Sequence, residues 1–348
     1  MSTRKTHTSR SFVSSDMESF QLGPSILPRM WSGLWQLSSN AWGTAPLPRI
    51  REAMTRYVDT GYTAFADHYG SAEIIFGQFR RSLPPDQPVF GATKWCVFTD
   101  IESSQGLVEA AVKERMERMQ MDRIDLLQFH WQNYSQKGYL STLKILQGLK
   151  TDGWISALGL CNFDSIRTDE ICTQLGPGVI SSNQVQFSLI DTRPLHGMAD
   201  VCEKHGIKLL CYGTLCGGFL SEVWLNKPMP DRYSNHLTPS QRKYLDIIVG
   251  VWGGWQLFQE LLLVLYDIGN GHGLSISNIA TRWVLDHPFV GAVIIGTRLG
   301  ISEHLDENLR VNGFRLTESD KAALDVVLNR SNGCRIITSI GDCGAEYR

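Results

Sequence analysis

The sequence predicts an α/β protein: a single-domain closed barrel of eight parallel strands with helices between them, a (β/α)₈ TIM barrel. Three observations carry that expectation. Short apolar runs alternate with amphipathic stretches along 348 residues, through connections short enough to favour parallel βαβ units. The length is ample for such barrels, which run to ~250 residues or more. No Gly-x-Gly-x-x-Gly turn follows an early strand, which disfavours an open dinucleotide-binding sheet.

Taken in order, residues 1–25 read as a flexible tail. Positions 1–16 are basic and Ser/Thr-rich with no acid before Asp16, a composition that also suits an organellar transit peptide. A strand is expected from Ile26 towards Gln36, where Gly33 lets the backbone approach a ligand and Trp35 reaches the rim. Leu47–Val58 has helical spacing, and Gly61–Gly70 reads as an apolar strand ending in a Tyr-Gly turn, with Ser71 as N-cap. Further strands are expected at Val89–Lys94, Ile124–His130, Trp154–Cys161, Ile180–Gln186, Ile207–Tyr212 and Val290–Ile295. Helices fall between them at Ser71–Leu83, Leu107–Met119, Leu140–Leu149, Ile166–Leu175, Met198–His205 and Ala280–Leu285. Residues 219–256 break the alternation and read as a long loop after the seventh strand, placed to cover a ligand at the rim. Gly269–Gly273 reads as a helix C-cap and turn. Helices from about Glu303 and at Glu318–Asn329 follow, so that the barrel spans 26–330 and a C-terminal tail 331–348.

Composition excludes several classes. A net charge of -2 gives no electrostatic case for nucleic acid or an anionic membrane. The densest apolar run, Leu261–Tyr266, falls far short of the ~20 residues of a spanning helix. Eight scattered cysteines form no CxxC and no Cys/His ligand spacing. They read as reduced packing thiols of an intracellular, cytoplasmic protein, with no metal site.

Tyr69, Lys94 and His130 each close an expected strand, on the barrel face where chemistry happens. A phenol, an amine and an imidazole on one rim form a proton relay: the ammonium favours the phenolate, and the imidazole orients a carbonyl oxygen. Beyond them, Ile295-Gly-Thr-Arg298 leads through a glycine turn towards a helix N-terminus, a geometry that suits a phosphate.

With these motifs the chain resembles the aldo-keto reductase family over about Met30 to Asn308, in its fungal-type branch. The resemblance implies NADPH/NADP⁺ as cofactor, a small-molecule carbonyl substrate, and Tyr69, Lys94 and His130 as catalytic residues. Phe65-Ala-Asp-His-Tyr-Gly70 is two residues shorter than the family's Phe-Asp-x-Ala-Asp-x-Tyr-Gly, and the tetrad Asp falls in that gap. Gly159-Leu-Cys-Asn162 and Asn183-Gln184 resemble the segments that bind the nicotinamide carboxamide, implying Asn162 and Gln184. Cys211–Gly218 resembles the Tyr-Ser-Pro-Leu loop, implying that Tyr212 stacks on the nicotinamide while Thr214, Leu215 and Gly217 follow the pyrophosphate. Gly296, Arg298, Ser302, Glu307 and Asn308 fall where the family grips the adenosine end, Arg298 on the 2′-phosphate. Trp35 and Trp131, with Trp252 and Trp255 nearby, are expected to shape an apolar substrate pocket. Two functions are compatible with the pattern: carbonyl reduction, as a tailoring step of secondary metabolism, or a weak or silent NADPH-binding barrel with a sensing or structural role.

Overall fold

The structure, a computed structural model, describes residues 10–11, 17–68 and 70–348. Strands β1 (Arg10–Ser11), β2 (Ser19–Leu22) and β3 (Ser25–Pro28) form a small sheet. Eight parallel strands then close a barrel: β4 (Met30–Gly33), β5 (Ala64–His68), β6 (Phe90–Val97), β7 (Ile124–Trp131), β8 (Ile155–Cys161), β9 (Ile180–Gln186), β10 (Lys208–Tyr212) and β11 (Val290–Gly296). Each pairs with the next, and β11 returns to β4 through Val293–Met30 to Gly296–Gly33.

Ordered structure therefore begins before residue 26. The β2–β3 hairpin stoppers the N-terminal end of the barrel, with Leu22 and Leu27 in its interior cluster and the Phe20 ring 6.3 Å from Trp31. Glu18 ties it down through Arg282 at 2.7 Å.

Strand periodicity sorts every barrel residue to one of two faces. Trp31, Ala64, Ala66, Phe90, Ala92, Leu126, Ala157, Leu210, Ala292 and Ile294 fill the interior. Phe65, Trp95, Leu127, Phe129, Trp131, Leu158, Val185, Leu209 and Val293 instead pack beneath the helices. The interior parity continues upward to Lys94, Gln128, His130, Cys161, Gln184 and Tyr212, so the polar residues gather at the C-terminal mouth.

The helices form by ordinary means. In Leu47–Asp59 the buried Ile50, Ala53, Met54 and Tyr57 make one stripe behind a Pro-containing first turn. Gly77, in the helix Ser71–Ser82, lets that helix touch the Met119 backbone: a Cβ there would lie 2.6 Å from the Met119 carbonyl. Gly77→Ala should cost about 1–3 kcal/mol by urea unfolding, because backbone rather than a flexible side chain must yield; an unchanged midpoint would contradict this contact.

Three expectations are corrected. Strand β6 runs three residues past Lys94, so that lysine lies inside the barrel and does not close the strand. The 219–256 segment is not a loop throughout. It contains the helix Pro239–Ile247, opened by a Thr238/Gln241 capping box, and a π-helical turn Ile248–Trp252. The Gly269–Gly273 cluster is helical to His272, with Gly273 alone as a left-handed cap. Among the described residues no single helix is long and apolar enough to cross a membrane; one pair, Pro239–Trp252 and Trp255–His272, passes by length and composition but is bent by 106°.

Candidate functional site

Lys94 and His130 come together at the mouth on neighbouring strands, where Lys94 pairs with Gln128 and Cys96 with His130. Both are buried, at 6% and 3% exposure. Tyr69 lies outside the described residues. Among the described side chains of β5, Ala64 and Ala66 face the interior, both fully buried.

His130 Nδ1 lies 3.0 Å from the carbonyl oxygen of Cys161. A carbonyl only accepts, so Nδ1 carries the proton and Nε2 presents a lone pair. Burial lowers the imidazole pKa to about 4; the Cys161 bond opposes this, and the charges of Lys94 and Arg348 lower it further. Neutral His130 therefore presents an acceptor at Nε2.

The depressed pKa has a consequence for stability. The unfolded imidazole takes up a proton near 6.5 and the folded one only near 4. Its stabilising contribution is complete above 6.5 and is lost as pH falls through about 4. The urea midpoint should fall across that window, and His130→Gln should flatten part of the slope; an identical slope in the variant would refute the assignment. His287, likewise lowered to about 4 by burial, supplies another part.

The residues expected around a nicotinamide are adjacent. Asn162 takes a left-handed φ of 59°, one that Asn tolerates, and its amide donates to Gln184 O at 2.9 Å. Tyr212 donates its hydroxyl to Asn162 Oδ1 at 3.0 Å. Gln184 is fully buried, and its Nε2 has no hydrogen-bond partner. An orphaned amide donor beside Asn162 fits a carboxamide oxygen. Thr214 donates to Phe187 O at 3.3 Å, and Leu215 and Gly217 turn the chain at the rim.

Across the mouth, Gly296 sits against Gln36, whose Oε1 is also unpartnered. Arg298 Nε donates to Trp42 O at 3.1 Å, and its backbone pairs with Ser302. The helix following them is short, Leu305–Leu309, and begins two residues later than expected. It contains Glu307, whose carbonyl accepts from Asn278 at 2.7 Å, and the buried Asn308. A cavity of about 280 Å³ beside this segment is lined by Arg49, Glu52, Arg56 and residues 300–303.

The aromatic expectations divide. Trp35 is 43% exposed and lies 4.5 Å from Trp42 between ring centroids. Trp131 is not at the mouth: it is 1% exposed, on the outer face of β7, donating Nε1 to Asn133 O and Gln136 O. Trp252 is fully buried, and Trp255 packs on Phe219 and Phe258. Sequence reasoning missed Phe98, 65% exposed with its ring 5.9 Å from His130. It also missed the whole segment Gly341–Arg348, whose contacts at the mouth join residues too far apart in the chain to leave a local signal.

Comparison with known proteins agrees with the fold. A profile of the Aldo/keto reductase family matches residues 29–329. Pyridoxal reductase, chloroplastic, of Arabidopsis thaliana is 25% identical over 332 residues, covering 89% of this chain and 86% of that protein. Flagellar radial spoke protein 5 of Chlamydomonas reinhardtii is 32% identical over 181 residues, and there the match spans 47% of this chain and only 33% of that protein. An aldo-keto reductase structure from Klebsiella pneumoniae, in complex with NADPH, superposes with a TM-score of 0.67 at 18% identity, covering 90% of this chain and 95% of that one. By its profile match over most of its length, the chain belongs to the aldo/keto reductase family.

Proposed function

We propose that the protein reduces an aldehyde or ketone to an alcohol with NADPH. The observation that carries this reading is the buried Lys94–His130 pair beside Asn162 and the unpartnered Gln184 amide. NADPH supplies the hydride when bound. Asn162 and Gln184 hold its carboxamide, Tyr212 its ring, and the segments Thr214–Gly217 and Gly296–Asn308 its phosphates and adenosine, with Arg298 selecting the 2′-phosphate.

Tyr69 donates the proton to the carbonyl oxygen. The Lys94 ammonium favours the phenolate left behind, and His130 Nε2 accepts the hydrogen bond of the new hydroxyl. Half-exposed Trp35 and exposed Phe98 favour an apolar or aromatic carbonyl compound, in keeping with a tailoring step in secondary metabolism of fungal type and a cytoplasmic setting.

A second reading is favoured by one observation: Ala64 and Ala66 fill the interior of β5, so neither position supplies the tetrad carboxylate. On that reading the barrel binds NADPH and turns over weakly or not at all. Titration with NADPH followed by 4-nitrobenzaldehyde separates the two. Binding with NADPH oxidation supports the reductase, binding without oxidation supports the silent barrel, and no binding removes both.

A further inference from the structure

The segment Gly341–Arg348 crosses the mouth of the barrel and is fastened there at several points. Ser165 N donates to Asp342 Oδ2 at 2.8 Å, and Cys343 is 1% exposed. Arg193, itself 1% exposed, holds the Glu346 carboxylate through two bonds of 2.7 and 2.9 Å. Gly344 has a left-handed φ of 79° and passes so close to Asn162 that any Cβ would collide with the Asn162 carbonyl. Arg348 donates to Asn162 O and to Tyr134 Oη.

Between these anchors, Tyr347 enters the site. Tyr212 spends its one hydroxyl proton on Asn162 Oδ1, so it accepts from Tyr347 across 3.0 Å. Tyr347 in turn accepts from Lys243 Nζ at 3.1 Å. Its ring stands edge-on to His130 with centroids 6.2 Å apart. The segment therefore engages both Asn162 and Tyr212, and it lies over the catalytic imidazole. Asn162 and Tyr212 are the residues that the cofactor reading assigns to the nicotinamide.

We propose that residues 341–348 are a tethered plug: Tyr347 and Arg348 hold the nicotinamide end of the cofactor groove shut until NADPH displaces them. The inference rests on the cofactor reading above and adds its regulation. The plug is a self-ligand, made of a phenol on Tyr212 and a guanidinium on the Asn162 carbonyl, with the Glu346–Arg193 pair as its latch. A protein that spends a fraction f of its time open binds NADPH with an affinity weakened by that fraction. Loosening the latch or removing the wedge raises f without touching any residue assigned to hold the cofactor.

The test uses the whole chain and the variants Glu346→Gln and Tyr347→Ala. NADPH affinity and association rate are measured by protein fluorescence, and hydrogen–deuterium exchange of residues 341–348 is followed with and without NADPH. Both variants should bind NADPH at least about ten-fold more tightly, chiefly through faster association, and saturating NADPH should speed exchange in 341–348 of the unaltered protein. Equal affinities together with unchanged exchange would overturn the plug while leaving the cofactor reading intact. Slower exchange on binding would also overturn it, since the segment would then clamp the cofactor rather than yield to it. Absence of NADPH binding in all three proteins would remove the cofactor reading, and the plug with it.

Discussion

Lys94→Met is expected to lower the rate of carbonyl reduction by about 10²–10⁴-fold, the usual worth of a positioned proton relay. Methionine keeps the unbranched stem that fills the interior of β6, so folding should hold. What disappears is the ammonium. Without it the phenol assigned as proton donor would lose the charge that favours its phenolate, and proton donation to the carbonyl oxygen would be retarded. The same change removes one of the charges that depress the His130 pKa, so the imidazole should titrate higher, although burial, the larger cause, remains. The loss should fall on kcat, with NADPH affinity changed only a few-fold, because Lys94 is not among the groups assigned to the cofactor. A variant retaining more than about a tenth of the activity would show that Lys94 is not part of the relay.

Arg193→Ala is expected to destabilise the fold by about 3–5 kcal/mol, the cost of breaking a buried ion pair from one side. Arg193 is 1% exposed and its partner Asp191 2%. The guanidinium meets Asp191 at 2.9 and 2.7 Å as well as Glu346, and Gln186 adds a further donor to Asp191 at 2.6 Å. Burial alone would lower the Arg193 pKa, but the two carboxylates more than offset it and hold the group firmly protonated. Removing it leaves Asp191 buried with neutral donors alone, the Gln186 amide and the backbone N–H of residue 193. Urea unfolding measures the loss, and a change under about 1 kcal/mol would mean that the network relaxes or admits water. Arg193→Lys should recover little, since one ammonium cannot serve two carboxylates in bidentate fashion.

Much of the barrel was legible because each element announces itself locally. Apolar alternation marks β6 through β9, and strand parity then follows from residues such as Phe90 and Leu126 without further information. Asn162 and Gln184 were named only because their segments resemble those of the family, and the structure places them side by side. The misreadings share a cause. Trp131 was judged by its neighbour His130, yet one step along a strand reverses the face. The helix Pro239–Ile247 was hidden in a Pro- and polar-rich stretch, although Thr238 and Gln241 stand at the spacing of a capping box. The mouth-crossing segment 341–348 could not be read at all. Its meaning lies in pairings such as Arg193 with Glu346, 153 residues apart, which no window along the chain contains.

The stoppering hairpin sets an order of events during synthesis. Arg282 is made 264 residues after Glu18, which it binds, and Gly291, against which Phe20 rests, later still. Until those residues exist, the hairpin lacks its bond to Arg282 and its contact with Gly291, and β4 has no β11 to pair with. The seam of the cylinder is thus also a seam in time, where one part of the chain waits for a much later one.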